Sequence, residues 1–272
     1  MIERFLPERV DVTDALPVLG HPPQTSLGPV VRVLVWNILK ARRTGFVADF
    51  EALTRDRDLV LLQESVLNAP SDRLFADSRR FQWIMGRSFR EPRSGREHGV
   101  KTGAVCPAIE VACWQSRHAE PLSNTRKSLL ATRYRIAGTG TGTGTDAGAG
   151  SGEGTELLVL NMHAINFVAA PKYLSHLAQL GRAMAVHRGP LILAGDFNTW
   201  NERRRSSLID VTREAGLQQA PLDRRARVAH LARHLDHLLY RGLRLRSAIS
   251  LEHIDSSDHA PIEATFEYPG SG

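Results

Sequence analysis

Short apolar runs separated by polar, glycine-rich or proline-containing segments make up most of the chain. Such a run, when it is rich in Val, Ile or Leu and bounded by turn residues, is typical of a buried strand. The pattern predicts strands over Val31–Leu39, Asp58–Gln63, Ser128–Ala137, Glu156–Asn161, Leu191–Ala194, Asp236–Tyr240, Leu243–Ile249 and Pro261–Phe266. Two further short runs lie within Gly103–Gln115, on either side of Pro107.

Two segments follow the period of a helix instead. The apolar face of Pro171–His187 consists of Leu174, Leu177, Leu180 and Met184. This segment begins with proline and is followed by Gly189, as is common at helix ends. Glu202–Ala215 predicts a second, arginine-rich helix. Because the helices fall between more numerous strands, the expected fold class is α/β, and both halves of the chain supply strands for a two-sheet sandwich flanked by helices.

The pattern predicts a single domain over residues 30–268, preceded by an extension and interrupted by an insertion. Residues 1–29 are proline-rich and aperiodic, which predicts an N-terminal extension draped over the surface. Residues 138–154, GTGTGTGTDAGAGSGEG, have no side chains suited to a core and predict a flexible, Gly/Thr-rich hairpin insertion. The stretch lacks the Gly-Lys-Ser/Thr ending of a phosphate-binding loop, so a P-loop is not predicted.

Composition narrows the class of protein. Hydrophobic residues make up 42% and charged residues 24% of the 272 residues, which is typical of a globular domain. No apolar stretch reaches the roughly 18–20 residues of a membrane-spanning helix, and the N-terminal residues do not resemble a secretory signal. Cys106 and Cys113 are too few for a disulfide framework and are expected to be reduced. A cytoplasmic location is therefore expected, and no obligate protein partner is evident.

The chain is basic, with a formal net charge of +6, and arginine far outnumbers lysine. A basic surface favours a phosphate-bearing partner, because guanidinium groups match phosphate oxygens in pairs. A GC-rich genome that encodes arginine in place of lysine is the alternative explanation of the same composition.

Polar side chains lie at the ends of several predicted strands, where burial is costly unless the groups are paired or bind something. They are Asn37, Glu64, His163, Asp196, Asn198, Asp258 and His259. Each alone has an ordinary explanation as a turn residue or a satisfied histidine. If these strand ends meet at one edge, they form a cleft lined by carboxylates, amides and imidazoles.

Short motifs around these residues occur in a recognisable order. They are Trp36–Asn37, Leu61–Glu64, Asn161–His163, Gly195–Asn198, Leu235–His237 and Ser257–His259. In this order they resemble the endonuclease/exonuclease/phosphatase superfamily of metal-dependent phosphodiesterases, most closely its uncharacterised bacterial members. The specific part is GDFN together with a C-terminal SDH. The resemblance spans nearly all of Val31–Phe266 and implies a four-layered α/β sandwich, with two mainly antiparallel sheets packed face to face and flanked by helices.

The resemblance also implies a site for Mg²⁺, with Mn²⁺ as an alternative, formed by Glu64, Asn37 and Asp258. Such hard oxygen donors suit Mg²⁺ and differ from the thiolates of many zinc sites. By the family pattern, Asp196 orients or deprotonates the attacking water and Asn198 holds that water.

Two histidines complete the implied catalytic set. By the same pattern, His163 and His259 donate to phosphate oxygens or share the proton transfer. Asp236 is expected to hydrogen-bond His259, which fixes the tautomer of the imidazole and favours its charged form.

Substrate-binding residues are less clearly indicated. The segment His98–Val105 aligns with cleft positions of the family, so Lys101 or Thr102 is expected to face the phosphate, with His98 equally suited to a surface loop. Of the adjacent arginines that follow Trp200, at most one or two can face a substrate, and Arg203 is the candidate. Trp200 is a candidate for stacking on a base.

The residues therefore favour a divalent-metal-dependent phosphodiester hydrolase, with DNA or RNA as the expected substrate because the chain is basic. A phosphoesterase acting on a phospholipid or a small phosphorylated molecule is the alternative within the same chemistry. A non-catalytic binding module is the further alternative, but it predicts that catalytic groups are lost, and the main ones are present.

Overall fold

The computed structural model describes residues 16–67, 72–91, 94–121, 123–137, 155–224 and 235–270, which form two β-sheets with helices outside them. The eight-stranded sheet contains β1 (Val18–Leu19), β2 (Val30–Asn37), β3 (Leu59–Leu67), β4 (Gln82–Arg90), β5 (Glu97–Ala104), β11 (Asp223–Arg224), β13 (Arg244–Ser250) and β14 (Ile262–Glu267). The six-stranded sheet contains β6 (Glu110–Gln115), β7 (Ser128–Arg135), β8 (Glu156–His163), β9 (Leu191–Asp196), β10 (Gln218–Gln219) and β12 (Asp236–Arg241).

The strand order is β1-β4-β5-β3-β2-β14-β13-β11 in the first sheet and β10-β12-β9-β8-β7-β6 in the second. Among the described strands, β2–β3, β8–β9 and β11–β13 pair in parallel and the other neighbours are antiparallel. β2 and β3 are near-continuously apolar because parallel strands at the centre of a sheet are covered on both faces. The predicted sandwich of two mainly antiparallel sheets is confirmed.

Helices cover the outer faces of both sheets. α1 (Phe46–Thr54) and α2 (Arg73–Ala76) contact the first sheet through aromatic rings; the centroids of Phe50 and Trp83, for example, are 6.0 Å apart. α3 (Ala170–Ala185) and α4 (Glu202–Glu214) cover the second sheet. Of the predicted apolar face of α3, Leu177, Leu180 and Met184 are buried, whereas Leu174 is exposed. The side chain of Asn201 caps α4 by accepting the backbone amide of Arg204.

Several parts of the fold depart from the sequence prediction. The prediction omitted α1, α2, β4, most of β5 and the two-residue strands β1, β10 and β11. β4 lacks a clear alternation because most of its residues are buried. Residues 16–29 do not lie loosely over the surface, since Leu16 and Leu27 are buried and β1 pairs with β4. Residues 1–15 and the predicted insertion at 138–154 lie outside the described residues, so the single-domain boundaries stay a prediction. None of the helices in the described ranges is long and apolar enough to cross a membrane.

Candidate active site

Strand pairing brings the polar strand ends to one end of the sandwich. β8 and β9 run in parallel with His163 opposite Asp196, and the antiparallel β12 places Asp236 on the other side of Asp196. On the facing sheet, β2 ends at Asn37, and the loop that leads into β14 supplies His259. The predicted juxtaposition of these five residues is therefore present in the structure.

A cleft of about 370 Å³ opens between these strand ends. Its lining comes from both sheets and from the loops that follow β8 and precede β7. The lining residues are Lys40, Glu64, Ser88, Phe89, His98, Gly99, Glu120, Ser123, Thr125, Lys127, His163, Asn166, Phe167, Asp196, Asn198, Leu235 and His259.

Asp196 is the most enclosed acid of the cleft, with 3% of its surface exposed. Its Oδ1 accepts the amide of Asn198 at 2.9 Å, and its Oδ2 accepts the side-chain amide of Asn37 at 3.1 Å. Oδ2 also lies 3.4 Å from Nε2 of His163 and 3.9 Å from Nε2 of His259. Burial, together with the nearby charge of Asp236, raises the pKa of Asp196 to about 7.

His259 and Asp236 form a hydrogen-bonded pair, with 2.6 Å between Nδ1 and Oδ2. Burial opposes the charged imidazolium, but the carboxylate of Asp236 outweighs it and raises the pKa of His259 to about 10. At neutral pH the ring is therefore an imidazolium whose Nε2–H is directed toward Asp196. The indole of Trp36, which is buried, donates to the carbonyl of His259 at 3.0 Å. This bond holds the loop that precedes β14.

His163 and Asn198 are held beside Asp196 in different ways. Burial, followed by the charges of Lys127 and His259, keeps the pKa of His163 well below its usual value, so this ring is neutral. Asn198 adopts a positive φ of 51° and donates its side-chain amide to the carbonyl of Ala164 at 2.9 Å. That bond ties the loop after β9 to the loop after β8.

The residues predicted to hold a metal are placed unequally. Glu64 lies at a register shift between β3 and β5 and has a positive φ of 51°. Its side chain lines the cleft, and its carboxylate lies 3.8 Å from Nζ of Lys40. Oδ1 of Asn37 accepts the amide of Leu39 at 3.2 Å. Asp258 is exposed and, like Asn37, is not among the residues that line the cleft, but its charge is one of those that raise the pKa of the adjacent His259. The structure therefore brings Glu64 to the cleft and Asn37 to Asp196, and the ligand role of Asp258 stays a prediction.

The chemistry of these donors fits a hard divalent cation. Glu64 and Asn37 offer oxygen atoms, and Asp196, Asp236 and His259 place one ligand atom each within 4.8 Å of one another. Burial and the charge of Asp236 raise the pKa of Asp196, so both disfavour its ionised form. A bound cation would offset both effects.

Lys101 does not reach the cleft, contrary to its predicted contact with phosphate. Its side chain is fully buried, with Nζ 3.5 Å from the centroid of the Phe75 ring and 3.4 Å from the carbonyl of Val66. Thr102, the alternative, is also buried and accepts the side-chain amide of Asn161 at 3.2 Å. Lys101 therefore lies under α2 on the outer face of its sheet, and Thr102 lies between the two sheets.

We expect Lys101→Met to increase the free energy of unfolding at pH 7 by about 1–3 kcal/mol. Burial lowers the pKa of Lys101 to about 8 from 10.5, so the charged form destabilises the folded protein below pH 8. In wild type this penalty disappears as the pH rises from 8 to 10.5. Urea unfolding of both proteins at pH 7 and pH 10 measures it, and a destabilised variant at pH 7 would contradict this account.

Neither Arg203 nor Trp200 lines the cleft. Arg203 is exposed on the first turn of α4, and the side chain of Trp200 is 56% exposed. The next arginine, Arg204, is buried and has a structural role, because its guanidinium donates to the carbonyls of Ile165, Asn198 and Val168.

Several cleft residues were missed by the sequence analysis. Lys40 follows Asn37 in a turn of positive φ, and Lys127 precedes β7 with Nζ 3.7 Å from Glu120. A usable signal was the scarcity of lysine in an arginine-rich chain, since two of its four lysines line this cleft. His98, left open as a loop residue, instead lies on β5, stacked on Phe89 with centroids 4.5 Å apart.

The comparisons with known proteins agree with this geometry. Residues 34–259 match the Endonuclease/Exonuclease/phosphatase family. A UPF0294 protein of Yersinia pseudotuberculosis is 35% identical over 269 residues, which cover 98% of this chain and 94% of that protein. A UPF0294 protein of Vibrio parahaemolyticus is 31% identical over 238 residues, which cover 87% of this chain and 77% of that protein.

Solved structures show the same fold at lower identity. The human nocturnin catalytic domain with a bound sulfate is 17% identical, with a TM-score of 0.60, over 93% of this chain and 97% of that one. The 3′ phosphatase NExo from Neisseria, bound to a product DNA hairpin, is 17% identical, with a TM-score of 0.52, over 88% of this chain and all of that one (100%). With a family match across most of its length, the chain belongs to the endonuclease/exonuclease/phosphatase family of phosphoester hydrolases.

Proposed function

We propose that this protein is a divalent-metal-dependent phosphodiesterase that cleaves nucleic acid. The observation that carries the proposal is the environment of Asp196, a buried carboxylate held by Asn37 and Asn198. It lies between two histidines, of which His163 is neutral and His259 is positively charged. The carboxylate of Asp196 can accept a proton and the imidazolium of His259 can donate a hydrogen bond, and both groups adjoin the same part of the cleft.

The side chains divide the work of hydrolysis. Asp196, with a pKa of about 7, accepts a proton from an attacking water near neutral pH. The imidazolium of His259 donates to a non-bridging phosphate oxygen and stabilises the charge that develops there. His163, neutral and 3.4 Å from Asp196, orients the carboxylate or the water.

Glu64 and Asn37 would hold the metal, Mg²⁺ by preference and Mn²⁺ as a substitute. When bound, the ion neutralises negative charge on the phosphoryl group. Lys40 and Lys127 add positive charge to the walls of the same cleft.

Nucleic acid is the proposed substrate because the chain carries a net charge of +6 and its cleft contains two lysines. One structural neighbour, the 3′ phosphatase from Neisseria, supports this choice because it is bound to a product DNA hairpin. Phospholipids and small phosphoesters remain the alternative substrates.

Plasmid nicking tests the proposal. Purified protein is incubated with supercoiled DNA in Mg²⁺, in Mn²⁺ and in EDTA, beside Asp196→Asn as a control for contaminating nuclease. We expect nicking that requires metal and disappears in the variant. Folded wild type that neither nicks DNA nor degrades RNA, yet hydrolyses bis(p-nitrophenyl) phosphate, would reassign the substrate to a small phosphoester or a phospholipid.

Glu64→Gln should raise the Mg²⁺ concentration required for half-maximal rate by about tenfold or more, because even groups that only support a ligand typically contribute that much to metal affinity. Gln keeps the size of the side chain and removes its charge. Glu214→Gln, at an exposed position of α4, is the matched control. An unchanged Mg²⁺ dependence in Glu64→Gln would exclude Glu64 as a ligand.

A further inference from the structure

Two exposed aromatic residues beside the cleft are connected through one lining residue, Asn166. Phe167 is 66% exposed and Trp200 is 56% exposed, whereas every other Phe and Trp in the described part of the chain is buried or half-buried. Phe167 also belongs to the cleft lining. We call this pair the aromatic rim.

The side chain of Asn166 joins the two residues of the aromatic rim. Its Oδ1 accepts the indole N–H of Trp200 at 2.9 Å and the backbone amide of Phe167 at 2.8 Å. Phe167 adopts a positive φ of 50°, a conformation that is uncommon for a bulky residue. The chain therefore holds an aromatic ring in the open at a backbone position that would suit Asn or Gly better.

The aromatic rim is supported from below. The guanidinium carbon of Arg204 lies 5.0 Å from the centroid of the Trp200 ring, and Arg204 is itself fixed by three carbonyls of the two loops. Such rings lose little conformational freedom when a ligand binds, so a larger part of the contact energy appears as affinity.

The neighbours of the aromatic rim indicate what it contacts. The backbone amide of Asn166 donates to Oε1 of Glu120 at 2.8 Å. The same carboxylate lies 3.7 Å from Nζ of Lys127, which also lines the cleft. A planar π surface thus lies next to a cation and the proposed hydrolytic groups. A ligand that matches both features carries a flat ring system close to a phosphate.

A lipid surface matches the site less well. Aromatic side chains do occur where proteins meet membranes. Here, however, the rings adjoin Asn166, Ser123 and the carboxylate of Glu120, so insertion would bring polar and acidic groups into the bilayer interface.

We propose that Phe167 and Trp200 form a stacking platform for an unpaired nucleobase next to the scissile phosphate. The site would therefore take single-stranded nucleic acid or frayed ends in preference to intact duplex, because both faces of an internal base in a duplex are already covered by its neighbours. This inference rests on the proposed nuclease function.

The test compares two fluorescein-labelled 12-mers by anisotropy: single-stranded oligothymidylate, and a strand of the same charge in which every base is absent. Binding is measured with wild type in EDTA to prevent cleavage. We expect wild type to bind oligothymidylate about tenfold or more tightly than the abasic strand. Phe167→Leu and Trp200→Ala should remove most of this preference, whereas Trp200→Phe, which keeps a ring, should retain it. Val186→Ala, at an exposed apolar position of the chain, is the control.

Several outcomes would overturn the platform. They are equal affinity of wild type for the two strands, no binding of either, or a preference that survives in both Phe167→Leu and Trp200→Ala. Binding to phosphatidylglycerol vesicles that is lost in the same variants, without a preference for bases, would assign the aromatic rim to lipid. Cleavage of plasmid DNA and of RNA by wild type in Mg²⁺ is measured in parallel. Cleavage without base preference refutes only the platform, and folded protein that cleaves neither nucleic acid refutes the proposed function.

Discussion

Asp196→Asn is expected to lower the rate of phosphodiester hydrolysis by about 10³-fold while the protein stays folded. Asn keeps the shape of the side chain and an oxygen that can accept the amide of Asn198, but it cannot accept a proton from water. Because the loss concerns proton transfer, the fall should appear in kcat at saturating substrate and metal.

The same substitution should leave stability unchanged or increase it. Burial and the charge of Asp236 raise the pKa of Asp196 from 3.8, its value in an unfolded chain, to about 7 in the folded protein. Ionisation of this carboxylate therefore lowers the free energy of unfolding as the pH rises from 3.8 to 7. Removing the charge removes that cost. Thermal unfolding and kcat measured on one preparation test both statements, with the exposed Asp210→Asn as control. A variant with the rate of wild type would exclude Asp196 as the base.

The grouping of the proposed catalytic residues could be predicted in part, because polar residues end the apolar runs. The parallel pairing of β8 and β9, which the sequence did not predict, then places their last residues, His163 and Asp196, side by side. The antiparallel β12 then places Asp236 opposite Asp196. Here the apolar runs and the polar residues that end them contain part of the necessary information.

The direction of side chains next to a bulge could not be predicted in the same way. Lys101 pairs with Leu62 on one side of the register shift in β3, while His98 pairs with Val66 on the other side. Each shift of one residue reverses the face on which side chains lie. The family resemblance therefore indicated that the segment His98–Val105 contributes to the cleft, but it favoured Lys101 or Thr102, and the structure places His98 in the lining instead.

Loop residues were the least accessible to prediction. Lys40, Lys127 and Phe167 line the cleft from turns and connections, where no periodicity relates one side chain to another. Phe167 would have been assigned to a core by hydrophobicity alone. Only the positive φ and the bonds through Asn166 show that it is held outward.

Asp236→Asn is expected to move the whole pH–rate profile to lower pH. In wild type the carboxylate of Asp236 holds the pKa of His259 at about 10 against the effect of burial, so the imidazolium persists through the alkaline range. Without that carboxylate the pKa of His259 falls, while the charges of Asp196 and Asp258 still favour the imidazolium. The alkaline limb should therefore move down by about 1–3 pH units, and the rate at pH 9 should fall by about two- to a hundredfold.

The acidic limb should move in the same direction, because the charge of Asp236 is also one cause of the raised pKa of Asp196. A simple loss of packing would lower the rate at every pH and would not shift both limbs. The measurement is kcat/KM for bis(p-nitrophenyl) phosphate from pH 5 to pH 10 at saturating Mg²⁺. Combining Asp236→Asn with His259→Gln supplies the decisive comparison, since Asp236 should contribute no further shift of the alkaline limb once the imidazole is gone. An alkaline limb that stays in place in Asp236→Asn would mean that another group carries the positive charge, and Lys127 or Lys40 would then take over the role assigned to His259.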